Sequence, residues 1–129
     1  MVCNFHSETI YLPAYQSDWE FDYDAQQFFC HFDVPEITRD VYDNGIWTVS
    51  CEFGRKSKNP YMVALPMSVF MTDTLSDLSV VYYTQYFDYR VGVGYVEVQA
   101  TMSDYLYPTD PKGNLVPPEA MTFRLQMTY

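Results

Sequence analysis

Basic residues are scarce in this 129-residue chain: seven lysines and arginines stand against seventeen aspartates and glutamates, a formal charge of −10. Such a surface repels phosphate backbones and anionic headgroups, so nucleic-acid binding and polybasic membrane docking are excluded. What the charge does provide is solubility. Histidine is scarcer still, with only His6 and His31. His31 alternates with Cys30 on a strand-like segment and points to the opposite face, and His6 sits near the start, so neither is expected in a nucleophile–base dyad. Cysteine occurs three times, as Cys3, Cys30 and Cys51. An odd count leaves at least one thiol without an intramolecular partner, and no CxxC spacing points to zinc or redox chemistry. No run of about 18 apolar residues exists, so no transmembrane segment is expected. The start, "MVCNFHSETIYLP", lacks a basic stretch followed by an apolar one, and so carries no intact leader. Taken literally that describes a cytosolic chain; a leader already removed would place it outside the cytosol.

Aromatic residues, by contrast, are abundant: 13 Tyr, 9 Phe and 2 Trp in a chain that is 48% hydrophobic. Tyrosine suits pleated, half-buried surfaces with its hydroxyl at the wet edge. Period-2 alternation follows. Residues 19–24, "WEFDYD", place Trp19, Phe21 and Tyr23 on one side. Residues 27–34, "QFFCHFDV", place Phe28, Cys30, Phe32 and Val34 on one side, and the tight link between the two segments predicts a hairpin. "ETIYLPAY" (8–15) is an edge strand by virtue of Pro13. "IWTVSCEF" (46–53) directs Trp47, Val49, Cys51 and Phe53 inward. "YMVALPMSVF" (61–70) is interrupted by Pro66, where the strand is expected to break or to cross between sheets, and 71–79 reads as a loop. Residues 80–89 and 95–102 form an antiparallel pair through "RVGVG". That "GVG" lacks the helix and further glycine or lysine of a phosphate loop, so it is a turn. A Pro-rich excursion (103–120) precedes the closing strand "MTFRLQMTY".

One stretch departs from the alternation. In "VPEITRDVYDNG" (34–45), Pro35 suits a first helical turn, Ile37 and Val41 share a face four residues apart, and Asn44-Gly45 supplies a left-handed stop. A short connecting helix over about 35–44 is expected, plugging one end of the core. The whole is therefore all-β: a single domain spanning 1–129, an antiparallel β-sandwich of about seven to eight strands with that one helix.

Sites are sparse. Asp18, Glu20, Asp22 and Asp24 recur at every second position, which spreads them along one strand face instead of wrapping them around an ion. Asp104, Asp110 and Glu119, in or near the long loop, are the alternative calcium group. No pair of carboxylates stands out for glycoside hydrolysis. No metal, cofactor or catalytic residue is expected, and the chain reads as a non-enzyme. If it has a ligand face, Tyr82, Tyr86, Tyr105 and Tyr107 are the candidates, as a platform for stacking on sugar rings. Cys30 and Cys51 both face inward on segments flanking the short helix; whether they pair is a question of geometry.

Together, "VPEITRDVYDNG", "YMVALP", "YRVGVGYVEV" and "PPEAMTFRLQM" resemble a group of uncharacterised small cell-envelope proteins of Gram-negative gut anaerobes, many of them predicted lipoproteins. The similarity runs from about Trp19 to Tyr129. It implies a β-sandwich exported to the envelope or cell surface, with a lipid anchor carried through a removed leader, and it implies no activity. The expected role is an interaction or structural module with a protein or glycan partner at the cell surface. The alternative is a carbohydrate-binding module that uses the tyrosines.

Overall fold

The computed structural model describes residues 6–74, 77–103 and 107–129. Among these residues nine strands form two antiparallel sheets: β1 (Ser7–Ala14), β2 (Glu20–Asp22), β3 (Gln27–Asp33), β4 (Ile46–Phe53), β5 (Tyr61–Ala64), β6 (Met67–Thr74), β7 (Val80–Gly92), β8 (Tyr95–Met102) and β9 (Met121–Thr128). The four-stranded sheet runs β1-β9-β4-β5 and the five-stranded sheet β2-β3-β8-β7-β6. This is the expected all-β sandwich, with nine strands instead of seven or eight. Part of the difference is β6. The expected loop at 71–79 is strand as far as Thr74, where Met71 and Asp73 lie opposite Tyr83 and Val81 and continue the pairing and the inward alternation of β6.

The chain changes sheet four times, and each change has its own local device. A 3-10 turn, Gln16–Asp18, follows β1; Asp18 Oδ2 accepts the Tyr15 N–H at 2.8 Å. Between β5 and β6 the change falls at Leu65–Pro66, a cis bond, at the break expected for Pro66. The Pro-rich segment carries β8 into β9. The fourth change, from β3 to β4, uses a short helix.

That helix, α1, spans Arg39–Asn44, shorter than the 35–44 expected. Pro35 and Glu36 lie in a turn before it, and Thr38 is the true N-cap, its Oγ1 accepting the Val41 N–H at 3.3 Å. Gly45 stops it, but not through a left-handed backbone: its φ is −85°. A Cβ there would stand 2.5 Å from the Val41 carbonyl oxygen, which already accepts the Gly45 N–H at 2.7 Å, so closeness of approach demands glycine. Ile37 and Val41 are buried, as the spacing predicts. The lead-in is tied to the β7–β8 turn: Val34 N–H donates to Gly94 O and Gly94 N–H to Ile37 O, both at 2.8 Å. Gly94, at φ +82°, supplies the left-handed residue of that two-residue turn.

Inward faces meet as the alternation demands. From the four-stranded sheet come Leu12, Ala14, Val49, Cys51, Phe123, Leu125 and Met127. Phe28, Cys30, Phe87, Val96, Val98, Ala100 and Met102 oppose them from the five-stranded sheet. Trp19 bridges the layers, edge-on to Phe87 and to Phe123, each at 6.2 Å. Cys30 and Cys51 are both free and buried, one on each sheet. Burial, and then the charges of Asp18 and Glu20, push the Cys30 thiol up to about 12; burial, and then Glu52, push Cys51 up to about 11.

Candidate recognition surface

The outer face of the five-stranded sheet divides into a charged half and an aromatic half. On the charged half, β3 and β8 bring His31 to 3.3 Å from Asp33 and 3.9 Å from Glu97, with Arg90 of β7 at 3.5 Å from Glu97. Tyr95 stacks on the His31 ring at 5.2 Å. His31 is exposed while Cys30 is buried, so the two do point to opposite faces. These exposed pairs satisfy one another and contribute little to stability.

The aromatic half lies on β6 and β7. Outward positions of β7 carry Val80, Tyr82 and Tyr86, and the antiparallel register sets Phe70 of β6 opposite Thr84, between the two tyrosines. Phe70 is 69% exposed, Tyr82 62% and Tyr86 50%. The Phe70 and Tyr82 rings are nearly parallel, 22° apart, with centroids at 5.9 Å. Hydroxyl side chains of Ser68, Thr72 and Thr84 share this face. Alternation explains the arrangement: once Tyr83, Gln85 and Phe87 take the inner face, Tyr82 and Tyr86 have nowhere to go but out. β6 is also the last strand of its sheet, so its far edge has no strand pairing among the described residues.

Of the four tyrosines expected to form a platform, the fold brings two together. Tyr82 and Tyr86 share the face just described. Tyr107 does not join them: its ring packs edge-on against Phe21 at 5.0 Å and Phe28 at 5.8 Å, on the inner side of the opposite edge of the sheet. Its hydroxyl donates to the Gln26 carbonyl, fastening the long loop to the β2–β3 hairpin. Tyr105 lies outside the described residues. Phe70, the most exposed of the three aromatics, is not among the candidates read from the sequence, because it stands at the end of the 61–70 segment, beside the expected loop at 71–79. Its signal was the continued alternation of Met67, Val69 and Met71 against Ser68, Phe70 and Thr72.

Two of the carboxylates considered as metal ligands, Asp22 and Asp110, are engaged locally. Asp22 Oδ1 accepts the N–H groups of Asp24 and Ala25 in the β2–β3 turn. Asp110 Oδ1 accepts from Lys112 and Asn114, each at 2.9 Å, and these contacts, the Asn114 N–H foremost, hold its carboxyl below the usual range. Asp104, the first of the residues considered for calcium, lies outside the described residues. Among the described residues no three His, Cys, Asp or Glu side chains converge as a metal site, and no helix is long and apolar enough to cross a membrane. Compared with models of protein families, with curated proteins and with solved structures, the chain matches none.

Proposed function

We propose that the chain is a non-enzymatic recognition module of the cell envelope or cell surface, and that it meets its partner through the outer face of β6 and β7. The observation that carries this reading is the row Tyr82–Phe70–Tyr86, three large rings held in the open beside a strand edge that is unpaired among the described residues. Aromatic rings supply most of the energy of protein contacts, and an edge strand adds main-chain hydrogen bonds. The envelope location rests on the sequence resemblance. A photo-reactive phenylalanine analogue at position 70, illuminated in a cell-envelope fraction, is expected to give a discrete cross-linked product. The same analogue at Thr48, on the outer face of the other sheet, is the control. Equal labelling from both positions, or none from position 70, refutes this surface.

A glycan partner is the second reading, favoured by the near-parallel rings of Phe70 and Tyr82 among hydroxyl side chains. Retardation in gels containing soluble polysaccharides, abolished by Phe70→Ser, selects it over a protein partner.

A further inference from the structure

The core contains one buried polar side chain among the described residues, Gln85, 5% exposed. It stands on the inner face of β7 opposite Met102 and Val69, between Tyr83 and Phe87, where the register calls for an apolar residue. Its carboxamide has no hydrogen-bond partner among the described residues, yet it is not sealed from solvent as Trp19 Nε1 is. Gln85 opens onto a cleft of about 430 Å³ between the inner face of β6–β7 and the Pro-rich segment.

Tyr83 shares the floor with Gln85, while Met71, Pro117 and Pro118 supply apolar wall. Asp73 and Glu119 line the cleft as well, and neither is ion-paired among the described residues. The third carboxylate, Asp110, is occupied by the N–H groups of its own turn. No lysine, arginine or histidine lines the cleft. Burial, then Asp73 and Glu119, raise the Tyr83 hydroxyl above the usual phenol range, so the field of both carboxylates reaches the floor.

We propose that this cleft binds an alkylammonium group, its N–H bonds taken by the Gln85 amide oxygen and the Tyr83 hydroxyl oxygen, its charge offset by Asp73 and Glu119, and its methylene stem covered by the proline wall. A bare metal ion suits the cleft less well, because the oxygens come as one amide and one phenol between two carboxylates on apolar walls, not as a cage. Tyr83 and Gln85 point inward from the same strand that points Tyr82 and Tyr86 outward. The cleft and the aromatic row are therefore back to back, and either can function without the other. The ammonium group has two sources: a free aliphatic amine, or the lysine side chain of a polypeptide.

The test is titration of the full chain, isotopically labelled, with 1,5-diaminopentane and separately with Nα-acetyl-lysine N-methylamide, following the Gln85 side-chain amide by NMR. 1,5-Pentanediol is the neutral control. Saturable shifts with an ammonium probe and none with the diol are expected. Affinity should fall at least about tenfold both in Gln85→Leu and in the Asp73→Asn/Glu119→Gln pair, read in those variants from the Tyr83 ring signals. Binding of the diamine alone assigns a free amine; equal or tighter binding of the lysine amide assigns a polypeptide side chain. Absence of saturable shifts up to about 10 mM of either ammonium probe overturns the proposal. Equal binding of the diol overturns it too, as does undiminished binding in the carboxylate variant, whose changes lie outside the packed core and leave the fold in place.

Discussion

The two core thiols make stability depend on pH in a calculable way. Burial holds Cys30 protonated up to about 12 and Cys51 up to about 11, against an ordinary value of 9.0. The folded chain thus binds these protons more tightly than the unfolded one. Their contribution to stability is whole below about pH 9, declines as pH rises, and levels off only once the folded-state values are passed. At about pH 10.5 the unfolded thiols are almost fully ionised while the native ones are still mostly protonated. At about 1.4 kcal/mol per pH unit, each withdraws about 2 kcal/mol, or about 4 kcal/mol for the two. That is a large share of the 5–15 kcal/mol typical of a domain, so the effect is readily measured. Urea unfolding under reducing, oxygen-free conditions at about pH 7.5 and 10.5, followed by the fluorescence of buried Trp19, compares the wild type with Cys30→Ala/Cys51→Ala. Tyrosine and lysine titrations are common to both chains and cancel. The double variant starts less stable, through lost packing, but should lose about 4 kcal/mol less than the wild type over this interval. Equal losses in the two chains, within about 1 kcal/mol, would refute the assignment of both thiols to a dry core.

Ile37→Ala removes the fully buried plug beneath α1 and should cost about 2–4 kcal/mol in a chemical melt; a loss under about 1 kcal/mol would show that the end-cap does not seal the core. Trp19→Phe should cost under about 1.5 kcal/mol, since the indole N–H is buried without a partner among the described residues and only ring size is surrendered; a loss above about 3 kcal/mol would mean that the N–H is bonded after all. Phe70→Ser should alter stability by no more than about 1 kcal/mol, since the ring is 69% exposed and its cross-strand ring contact is with Tyr82. A larger loss in thermal melts would make Phe70 a structural residue instead of a contact residue.

How much of this was legible beforehand depended on whether the information was local. Strands β3, β4 and β9 declare themselves because an apolar residue at every second position has only one way to bury itself, and the structure buries Cys30, Val49 and Phe123 accordingly. Pro66 announces a change of sheet because it cannot continue a ladder as a donor. The start of α1 was not legible in the same way: Pro35 and Thr38 both suit a helix beginning, and the choice is made by distant Gly94, whose backbone bonds hold Val34 and Ile37 out of the helix. The strand β7 shows the limit most clearly. Val81, Tyr83, Phe87 and Tyr89 oppose Val80, Tyr82 and Tyr86, so both faces look apolar and periodicity alone does not choose between them. Pairing chooses. Phe87 against Ala100 and Met67 turns the odd-numbered set inward, and this one decision exposes Tyr82 and Tyr86 while carrying Gln85 into the core. An alternation read only for its apolar members passes over Gln85, since one amide scarcely weakens the pattern. Once the face is known, that amide is the anomaly, because it is the one buried polar side chain on the inward face among the described residues and it opens onto a cleft. An inward amide at the floor of a cleft, beside two carboxylates that form no ion pair among the described residues, is the arrangement on which the proposed ammonium site rests.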